Sequence, residues 1–178
     1  AEEVVVASSH AFALPDAMSA GQGATFVQSY CTALFALTRR IEVRKEHTLV
    51  VLGASGGVGR AAVDVGTALG ARVIAAASSD ARLDACNDIA PYARINYQCE
   101  DLKTQVRALT HGGANIAYDP LGGEYSEQAL RALGTDGVLL IVGFAAGQIP
   151  RLPTNHILLG NRRIVGVDWG GWRTQQPD

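Results

Sequence analysis

The sequence has few charged residues and few aromatics, and these shortages exclude several classes of protein. Charged residues make up only 18% of its 178 residues, and the formal net charge is -2. Nucleic-acid binding draws on clustered Lys and Arg, whereas this chain carries only the isolated pairs Arg39-Arg40 and Arg162-Arg163. We therefore expect no nucleic-acid partner.

Cysteine is also scarce, and long apolar runs are missing. The three cysteines, Cys31, Cys86 and Cys99, form no CxxC pair, which argues against a disulfide framework or a cysteine-rich zinc site. The four histidines are scattered along the chain, so we expect no bound metal. No apolar run reaches the roughly 18 residues that a membrane helix needs. We expect a soluble protein in the reducing cytoplasm.

What the chain does contain, from Thr48 onward, is an alternation of short β-branched runs with helical patterns. Such alternation is typical of βαβ units and a parallel sheet. It predicts an α/β fold: a Rossmann, doubly wound, six-stranded parallel sheet in a three-layer α/β/α arrangement. The predicted strands are Thr48–Gly53, Arg72–Ala77, Ala93–Asn96, Asn115–Asp119, Gly137–Val142 and Arg163–Val167.

Helical periodicity places helices between the strands, and the last connection, which contains Ile149–Thr154, is predicted as a loop. Gly70 is expected to end the first helix after the first strand. Val4–Ala7 does not fit the plan and is predicted as a strand of a different sheet, followed by a linker. The predicted helices are Ala20–Arg40, Val58–Leu69, Asp80–Asn87, Asp101–Leu109 and Gly123–Leu133.

A glycine loop, Gly53-Ala54-Ser55-Gly56-Gly57-Val58-Gly59, joins the first predicted strand to a helix. In a dinucleotide fold, Gly56 would let the backbone approach a pyrophosphate, and Gly59 would let the helix pack close to the strand. The same loop could be a purely structural turn. A P-loop is excluded because Arg60-Ala61 stands where Lys and Ser or Thr would be needed.

The end of the second predicted strand lacks an acidic residue and reads Ala77-Ser78-Ser79. NAD sites place Asp or Glu there to accept from the ribose 2′-hydroxyl, and methyltransferases usually carry an acid at this point as well. The hydroxyls of Ser78 and Ser79, with Arg82 one turn later, instead suit a 2′-phosphate. NADP(H) is therefore favoured over NAD. Asp80 could supply the missing acid, although it is better placed as a helix N-cap.

Short motifs in a fixed order give the chain a family resemblance over roughly residues 11–172. The chain resembles the cofactor-binding domain of the zinc-independent quinone oxidoreductases of the medium-chain dehydrogenase/reductase superfamily, including the zeta-crystallin-like proteins. The motifs are Thr32-Ala33-Leu34, Gly56-Gly57-Val58-Gly59, Ala77-Ser78-Ser79, Ile95-Asn96-Tyr97, Asp119-Pro120-Leu121-Gly122-Gly123 and Val142-Gly143-Phe144-Ala145.

The resemblance implies a role for each matched position. Arg82 replaces an expected lysine but keeps its charge, and Tyr97 could instead be an interface aromatic. Gln28 stands where zinc-dependent relatives carry a cysteine ligand. The implied cofactor-binding residues are Ser55, Gly56, Gly57 and Val58 at the pyrophosphate; Ser78, Ser79, Arg82 and Tyr97 at the 2′-phosphate; and Thr32, Leu121, Gly143 and Phe144 at the nicotinamide.

The resemblance further implies a two-domain homodimeric enzyme, of which this chain holds one domain. Residues 1–18 would be a remnant of the GroES-like catalytic domain with its linker, and residues 19–178 the NADP-binding Rossmann domain. The complete enzyme would transfer hydride from NADPH to a quinone or similar enone, and the chain alone would be inactive. Dimers would form through the last sheet strands. No catalytic acid or base is identified, since Asp119 suits a structural or cofactor-contacting role.

Two alternatives stay open. An enoyl-thioester reductase of the same superfamily would have a very similar cofactor half. A non-catalytic NADP-binding or sensing protein would need no second lobe.

Overall fold

The computed structural model describes residues 2–176, and its centre is one parallel sheet. The strands are β1 (Thr48–Leu52), β2 (Arg72–Ala77), β3 (Ala93–Asn96), β4 (Ala114–Asp119), β5 (Leu133–Ile141) and β6 (Arg163–Gly166). Their order across the sheet is β3-β2-β1-β4-β5-β6, which is the strand order of the Rossmann fold. The predicted α/β class and all six predicted strands are confirmed.

The central strand β1 illustrates why these runs form strands. All five of its residues are buried, because helices cover both faces of the sheet. Val50 lies opposite Ile74 of β2 on one side and Ala117 of β4 on the other. A run of apolar, mostly β-branched residues suits such a position, where no side chain meets water.

Two apolar clusters separate the sheet from its two helix layers, so the predicted three-layer arrangement is confirmed. The helices are α1 (Ala20–Phe35, continued by a π-helical turn over Ala36–Arg40), α2 (Gly57–Ala68), α3 (Asp80–Leu83), α4 (Leu102–Thr110), α5 (Gly123–Ala132), α6 (Thr154–Leu159) and α7 (Trp169–Gln175). One cluster contains Leu49, Val51 and Tyr118 of the sheet, with residues of α1, α2 and α7 packed against them. The other contains Val50 and Leu139 of the sheet, with residues of α4, α5 and α6.

Local capping fixes where several helices begin and end. Ser19 and Gln22 form a capping box at the start of α1. The Asp101 carboxylate accepts a hydrogen bond from the backbone N–H of Thr104 at the start of α4. After α2, Gly70 adopts the left-handed conformation with φ of +85°, as its predicted position at the end of that helix requires.

The segment Val4–Ala7, predicted as a strand of a different sheet, pairs with no strand among the described residues, and Val5 is fully exposed. Its pairing in another sheet stays a prediction. The predicted helix Asp80–Asn87 is shorter than expected. It ends at Leu83 and tightens into a 3-10 turn over Asp84–Cys86.

Helices α6 and α7 were not predicted, and β5 begins four residues before the predicted Gly137. The early start of β5 coincides with a break in its register against β4, between Ala114 and Ile116. Within the described residues, no helix combines the length and apolar character needed to cross a membrane.

Candidate functional site

The candidate site lies where the strand order reverses, at the carboxyl ends of β1 and β4. In doubly wound sheets the connections after these two strands run to opposite faces and leave a crevice between them. Here the two turns touch. Gly53, with φ of +57°, follows β1, and a Cβ at this position would lie 3.1 Å from the Cδ2 atom of Leu121 in the turn after β4.

The glycine loop brings α2 against the sheet and leaves the helix N-terminus open. A Cβ on Gly59 would overlap the carbonyl oxygen of Gly53 and lie 2.8 Å from its carbonyl carbon, so no larger residue fits there. Gly56 is the N-cap of α2 and offers no side chain to the free backbone N–H groups of the first turn. Those groups and the helix dipole form a cradle suited to a phosphate.

Small polar side chains follow β2, and one of them caps a helix. The Ser79 hydroxyl oxygen accepts a hydrogen bond from the backbone N–H of Arg82 at 3.3 Å, so Ser79 is the N-cap of α3. The prediction that Asp80 caps this helix is wrong, because Asp80 is already its first residue. The Asp80 carboxylate instead accepts a hydrogen bond from the Asn96 amide at 3.2 Å, at the end of β3.

Tyr97 lies beside these residues, just beyond β3. Its backbone N–H donates to the carbonyl of Ala77 at 3.1 Å, which sets the tyrosine next to the end of β2. Burial raises the pKa of the Tyr97 hydroxyl, while the nearby Ser78 side chain and the charge of Arg82 act in the opposite direction. The structure therefore brings Ser78, Arg82 and Tyr97 together, as predicted from residues far apart in sequence.

The turn after β4 is organised by Asp119, which is fully buried. One carboxylate oxygen accepts from the backbone N–H groups of Leu121 at 2.9 Å and Gly122 at 3.0 Å. The other accepts a hydrogen bond from the Ser126 hydroxyl. Both oxygens are therefore engaged within the turn, which favours the structural side of the role expected for Asp119.

The loop after β5 runs along this turn. The backbone N–H of Ala145 donates to the carbonyl of Pro120 at 3.0 Å, and a Cβ on Gly143 would lie 3.2 Å from the same oxygen. Phe144 packs over Gly122, where a Cβ would lie 2.8 Å from its ring. Leu121, Gly143 and Phe144 are thus assembled in one place, as their predicted shared role requires.

A cavity of about 500 Å³ opens beyond the carboxyl ends of β5 and β6. Gly143 and Phe144 line it, together with Phe35 and Trp172, whose ring centroids are 5.0 Å apart. Thr32 lies one turn before Phe35 on α1 and is only 6% exposed. Its hydroxyl oxygen has no hydrogen-bond partner among the described residues. Thr32 is not among the residues that line the cavity, and a buried hydroxyl without a partner is costly.

Three residues outside the predicted set support the site. Arg60, on the first turn of α2, donates to the carboxylate of Asp88 at 2.5 Å and to the carbonyl of Ala85, which fixes the chain after α3. Tyr125 and Ser126, at the start of α5, contact Tyr97 and Asp119 respectively. Each contact joins separate segments of the chain, so no local sequence pattern indicates it.

The cysteines and metal-binding residue types supply no further site in the part of the chain described here. Cys86 is a small core residue, as predicted. Its thiol donates to the carbonyl of Ala54 at 3.3 Å, and burial raises its pKa. Across residues 2–176, no three His, Cys, Asp or Glu side chains are grouped so that they could hold a metal ion.

Comparison with known proteins shows the family of the chain. The sequence profile of a family described as "Zinc-binding dehydrogenase" matches residues 57–177. The chain belongs to this family. Its predicted identity as a quinone oxidoreductase-like cofactor domain of the medium-chain dehydrogenase/reductase superfamily is confirmed by its relatives and structural neighbours.

One relative of the chain is quinone oxidoreductase-like protein 2 of Bos taurus. It is 37% identical over 177 residues, which are 98% of this chain and 51% of the relative. The homologue of the same protein in Nematostella vectensis is 34% identical over 179 residues, 99% of this chain and 49% of the relative. The chain spans about half the length of these curated relatives.

A solved structure is similar over most of the chain. This is the quinone oxidoreductase of Thermus thermophilus, a protein described also in complex with NADPH. It is 28% identical and superimposes with a TM-score of 0.79, covering 90% of this chain and 51% of the other.

Proposed function

We propose that this chain is the NADP(H)-binding half of an oxidoreductase that transfers hydride from NADPH to a quinone or similar enone. The observation that carries the proposal is the end of β2, where Ser78 and Ser79 follow the strand and no carboxylate ends it. The Tyr97 backbone is bonded to Ala77 there, and Arg82 lies in the helix that Ser79 caps. Hydroxyls and a guanidinium stabilise a 2′-phosphate, which a carboxylate would repel. The complex of the Thermus relative with NADPH supports the same cofactor.

The residues present fit this cofactor along its length. The backbone of Ser55, Gly56, Gly57 and Val58 would hold the pyrophosphate, because Gly56 offers no side chain to the free N–H groups at the N-terminus of α2. Ser78, Ser79, Arg82 and Tyr97 would hold the 2′-phosphate. The nicotinamide end would meet Leu121, Gly143, Phe144 and the partnerless hydroxyl of Thr32.

When bound, NADPH supplies the hydride, and the chain supplies position and electrostatics. Asp119 would act only by holding the turn that carries Leu121, because both of its oxygens are already engaged. Gln28, in place of a cysteine ligand, supports a reaction without zinc. We place the protein in the cytoplasm, where its three free thiols would stay reduced.

We also propose that the chain alone does not reduce substrate. The relatives are about twice as long, and substrate in such enzymes would lie in the cleft between the cofactor domain and a second lobe. In this proposal residues 1–18 are the remnant of that lobe and residues 19–178 the cofactor domain. Residues 177 and 178 lie outside the described part of the chain.

Homodimerisation through β6 belongs to the same proposal. Strand β6 is at the edge of the sheet, and Ile164 on it is 40% exposed. Leu158 and Leu159 of α6, close in sequence, are more exposed still. Light scattering after size exclusion should give a dimer for the natural chain and a monomer for Ile164→Lys, and a monomeric natural chain would contradict the proposal.

The decisive experiment titrates the purified chain with NADPH and with NADH, following nucleotide fluorescence. We expect clear preference for NADPH, and no consumption of NADPH when a quinone is added to the chain alone. Equal or tighter binding of NADH would contradict the assigned cofactor. Turnover with a quinone would contradict the proposed dependence on a second lobe.

A further inference from the structure

Two tyrosines from different crossovers meet at the end of the sheet that carries Ser78 and Arg82. Tyr97 follows β3, and Tyr125 lies in the first turn of α5. Their ring centroids are 5.0 Å apart with an interplanar angle of 54°, a tilted arrangement that aromatic pairs favour. The Gln98 amide also donates to the Tyr125 hydroxyl at 3.2 Å.

Tyr125 is held firmly by its position on α5. The preceding turn is fixed by the hydrogen bonds from the Leu121 and Gly122 N–H groups to Asp119. The next residue, Ser126, donates to the same carboxylate. The backbone on both sides of Tyr125 is thus anchored to one buried group, and the Tyr125 ring packs against the core between the sheet and α5.

Tyr97 packs against the same apolar cluster, and its ring is likewise only partly buried. Its backbone is tied to the end of β2, beside Ser78, by the bond to the Ala77 carbonyl, and Arg82 is near enough for its charge to lower the pKa of the Tyr97 hydroxyl. An aromatic ring on a loop can turn about its side-chain torsions unless a neighbour blocks it. The ring of Tyr125 occupies that neighbouring position.

We infer that Tyr125 is a positioning residue for recognition of the 2′-phosphate: its ring packs against Tyr97 and holds the Tyr97 hydroxyl beside Ser78 and Arg82. The inference rests on the proposed NADP(H) function and extends it to a residue that contacts no part of the phosphate. It also links the turn after β4 to the opposite end of the nucleotide, through Asp119, Ser126 and α5.

The inference makes a selective prediction about ligands. Loss of the Tyr125 ring frees Tyr97, so a ligand with a 2′-phosphate must order that side chain itself or do without its hydrogen bond. A single hydrogen bond of this kind corresponds to roughly a three- to tenfold change in affinity. A ligand without the 2′-phosphate does not use Tyr97 and keeps its affinity.

The test measures calorimetric binding of 2′,5′-ADP and of 5′-AMP, which differ only in the 2′-phosphate. The full chain is compared with Tyr125→Leu, which removes the ring, and Tyr125→Phe, which keeps it. We expect Tyr125→Leu to weaken binding of 2′,5′-ADP about three- to tenfold and binding of 5′-AMP less than twofold. Tyr125→Phe should bind both nucleotides as the natural chain does. Equal weakening of both nucleotides, or an equal loss in Tyr125→Phe, would overturn the inference.

A double-mutant cycle with Tyr97→Phe provides the second measurement. Tyr97→Phe should lower the affinity for 2′,5′-ADP by the same factor as Tyr125→Leu. The combined variant should bind no more weakly than either single variant, because both substitutions remove the same contact, that of the Tyr97 hydroxyl. Additive losses would overturn the inference. If Tyr125→Leu does not fold, Tyr125→Met fills more of the ring's space and takes its place in the cycle.

Failure of the inference and failure of the proposed function give different results. If the natural chain binds 2′,5′-ADP no better than 5′-AMP, the proposed cofactor is wrong. If the natural chain discriminates, and Arg82→Ala removes the discrimination while Tyr125→Leu leaves it intact, only the role of Tyr125 is wrong.

Discussion

The hydroxyl of Ser126 donates a hydrogen bond to the carboxylate of Asp119, and both side chains are fully buried. The second carboxylate oxygen accepts from the backbone N–H groups of Leu121 and Gly122. A single buried anion thus satisfies three donors at the end of β4. The direction of the following turn, and of α5 after it, depends on this carboxylate.

We predict that Asp119→Ala lowers the free energy of unfolding by about 2–4 kcal/mol, because it leaves these donors buried without an acceptor. Ser126→Ala should cost less, about 1–2 kcal/mol, since only one donor is lost. Urea denaturation followed by tryptophan fluorescence measures both. Glu124→Gln, at an exposed position on the same helix, is the control, and an Asp119→Ala chain as stable as that control would refute the role of Asp119.

Gly59→Ala should prevent native closure of the glycine loop, because its Cβ would overlap the carbonyl of Gly53. The overlap is with backbone, so it cannot be relieved by a side-chain rotation. We expect at least about 3 kcal/mol of destabilisation in urea. Gly21→Ala is the matched control, since nothing lies within 4 Å of its Cβ in α1. The control should stabilise the chain by about 0.5–1 kcal/mol, as helix propensity favours Ala, and similar results for both variants would contradict the argument.

Arg82→Ala should weaken NADPH binding about ten- to hundredfold and leave NADH binding nearly unchanged. A charge-assisted hydrogen bond to phosphate is worth roughly 1.5–3 kcal/mol, and only NADPH offers the 2′-phosphate. Fluorescence titration with each nucleotide measures the ratio of the affinities for NADPH and NADH. Arg39→Ala, an exposed arginine on the π-helical turn after α1, controls for the loss of charge, and an equal effect of both variants would contradict the assignment.

Much of the fold and the site follows from the sequence because parallel sheets have strong local patterns. Buried runs such as Thr48–Leu52 and Arg72–Ala77 identify the strands, and Gly56 and Gly59 identify the turn that must approach both sheet and ligand. The carboxyl ends of parallel strands share one edge. Ser78 and Tyr97 can therefore be grouped from the order of the strands and the motifs that follow them.

The missed features depend on contacts between distant segments. Helix α7, with the sequence WGGWRTQ, contains two glycines and has poor helix propensity, but the Asp168 side chain caps it and Trp172 packs on Phe35. Helix α6 has six residues, too few for a recognisable period. At the start of α3, Ser79 and Asp80 are both good capping residues, and local sequence does not distinguish them.

Tyr118→Phe should stabilise the chain at neutral pH by about 1 kcal/mol. The Tyr118 side chain is fully buried, and its hydroxyl has no hydrogen-bond partner among residues 2–176, so removing the oxygen removes an unsatisfied polar group. Chemical denaturation at pH 7 measures the difference. Tyr92→Phe, at an exposed ring over Arg72, should change nothing, and a less stable Tyr118→Phe chain would contradict the prediction.

The same residue predicts a loss of stability in alkali. Burial raises the pKa of Tyr118 above its ordinary value of about 10. Above that pH the unfolded chain releases a proton that the folded chain retains. The contribution of neutral Tyr118 to the free energy of unfolding is therefore intact below about pH 10. Above that pH, the free energy of unfolding falls by up to about 1.4 kcal/mol per pH unit. Stability of the natural chain should fall more steeply between about pH 9 and 11 than that of Tyr118→Phe. If stability falls equally with pH in both chains, the pKa of Tyr118 is not raised by burial.

The position of β1 between β2 and β4 also has a consequence for how the chain folds. Val50 lies opposite Ile74 in the next strand of the sequence, but the other edge of β1 is covered only by the later strand β4. The Thr48 N–H, for example, bonds the Asn115 side chain across 67 residues of chain. Until β4 pairs with β1, one apolar edge of β1 stays open. This pairing is slow because the long stretch of chain between the two strands must first close into a loop. Refolding should therefore be slow and lose yield as protein concentration rises, because a second nascent molecule can occupy the edge that β4 has not yet reached.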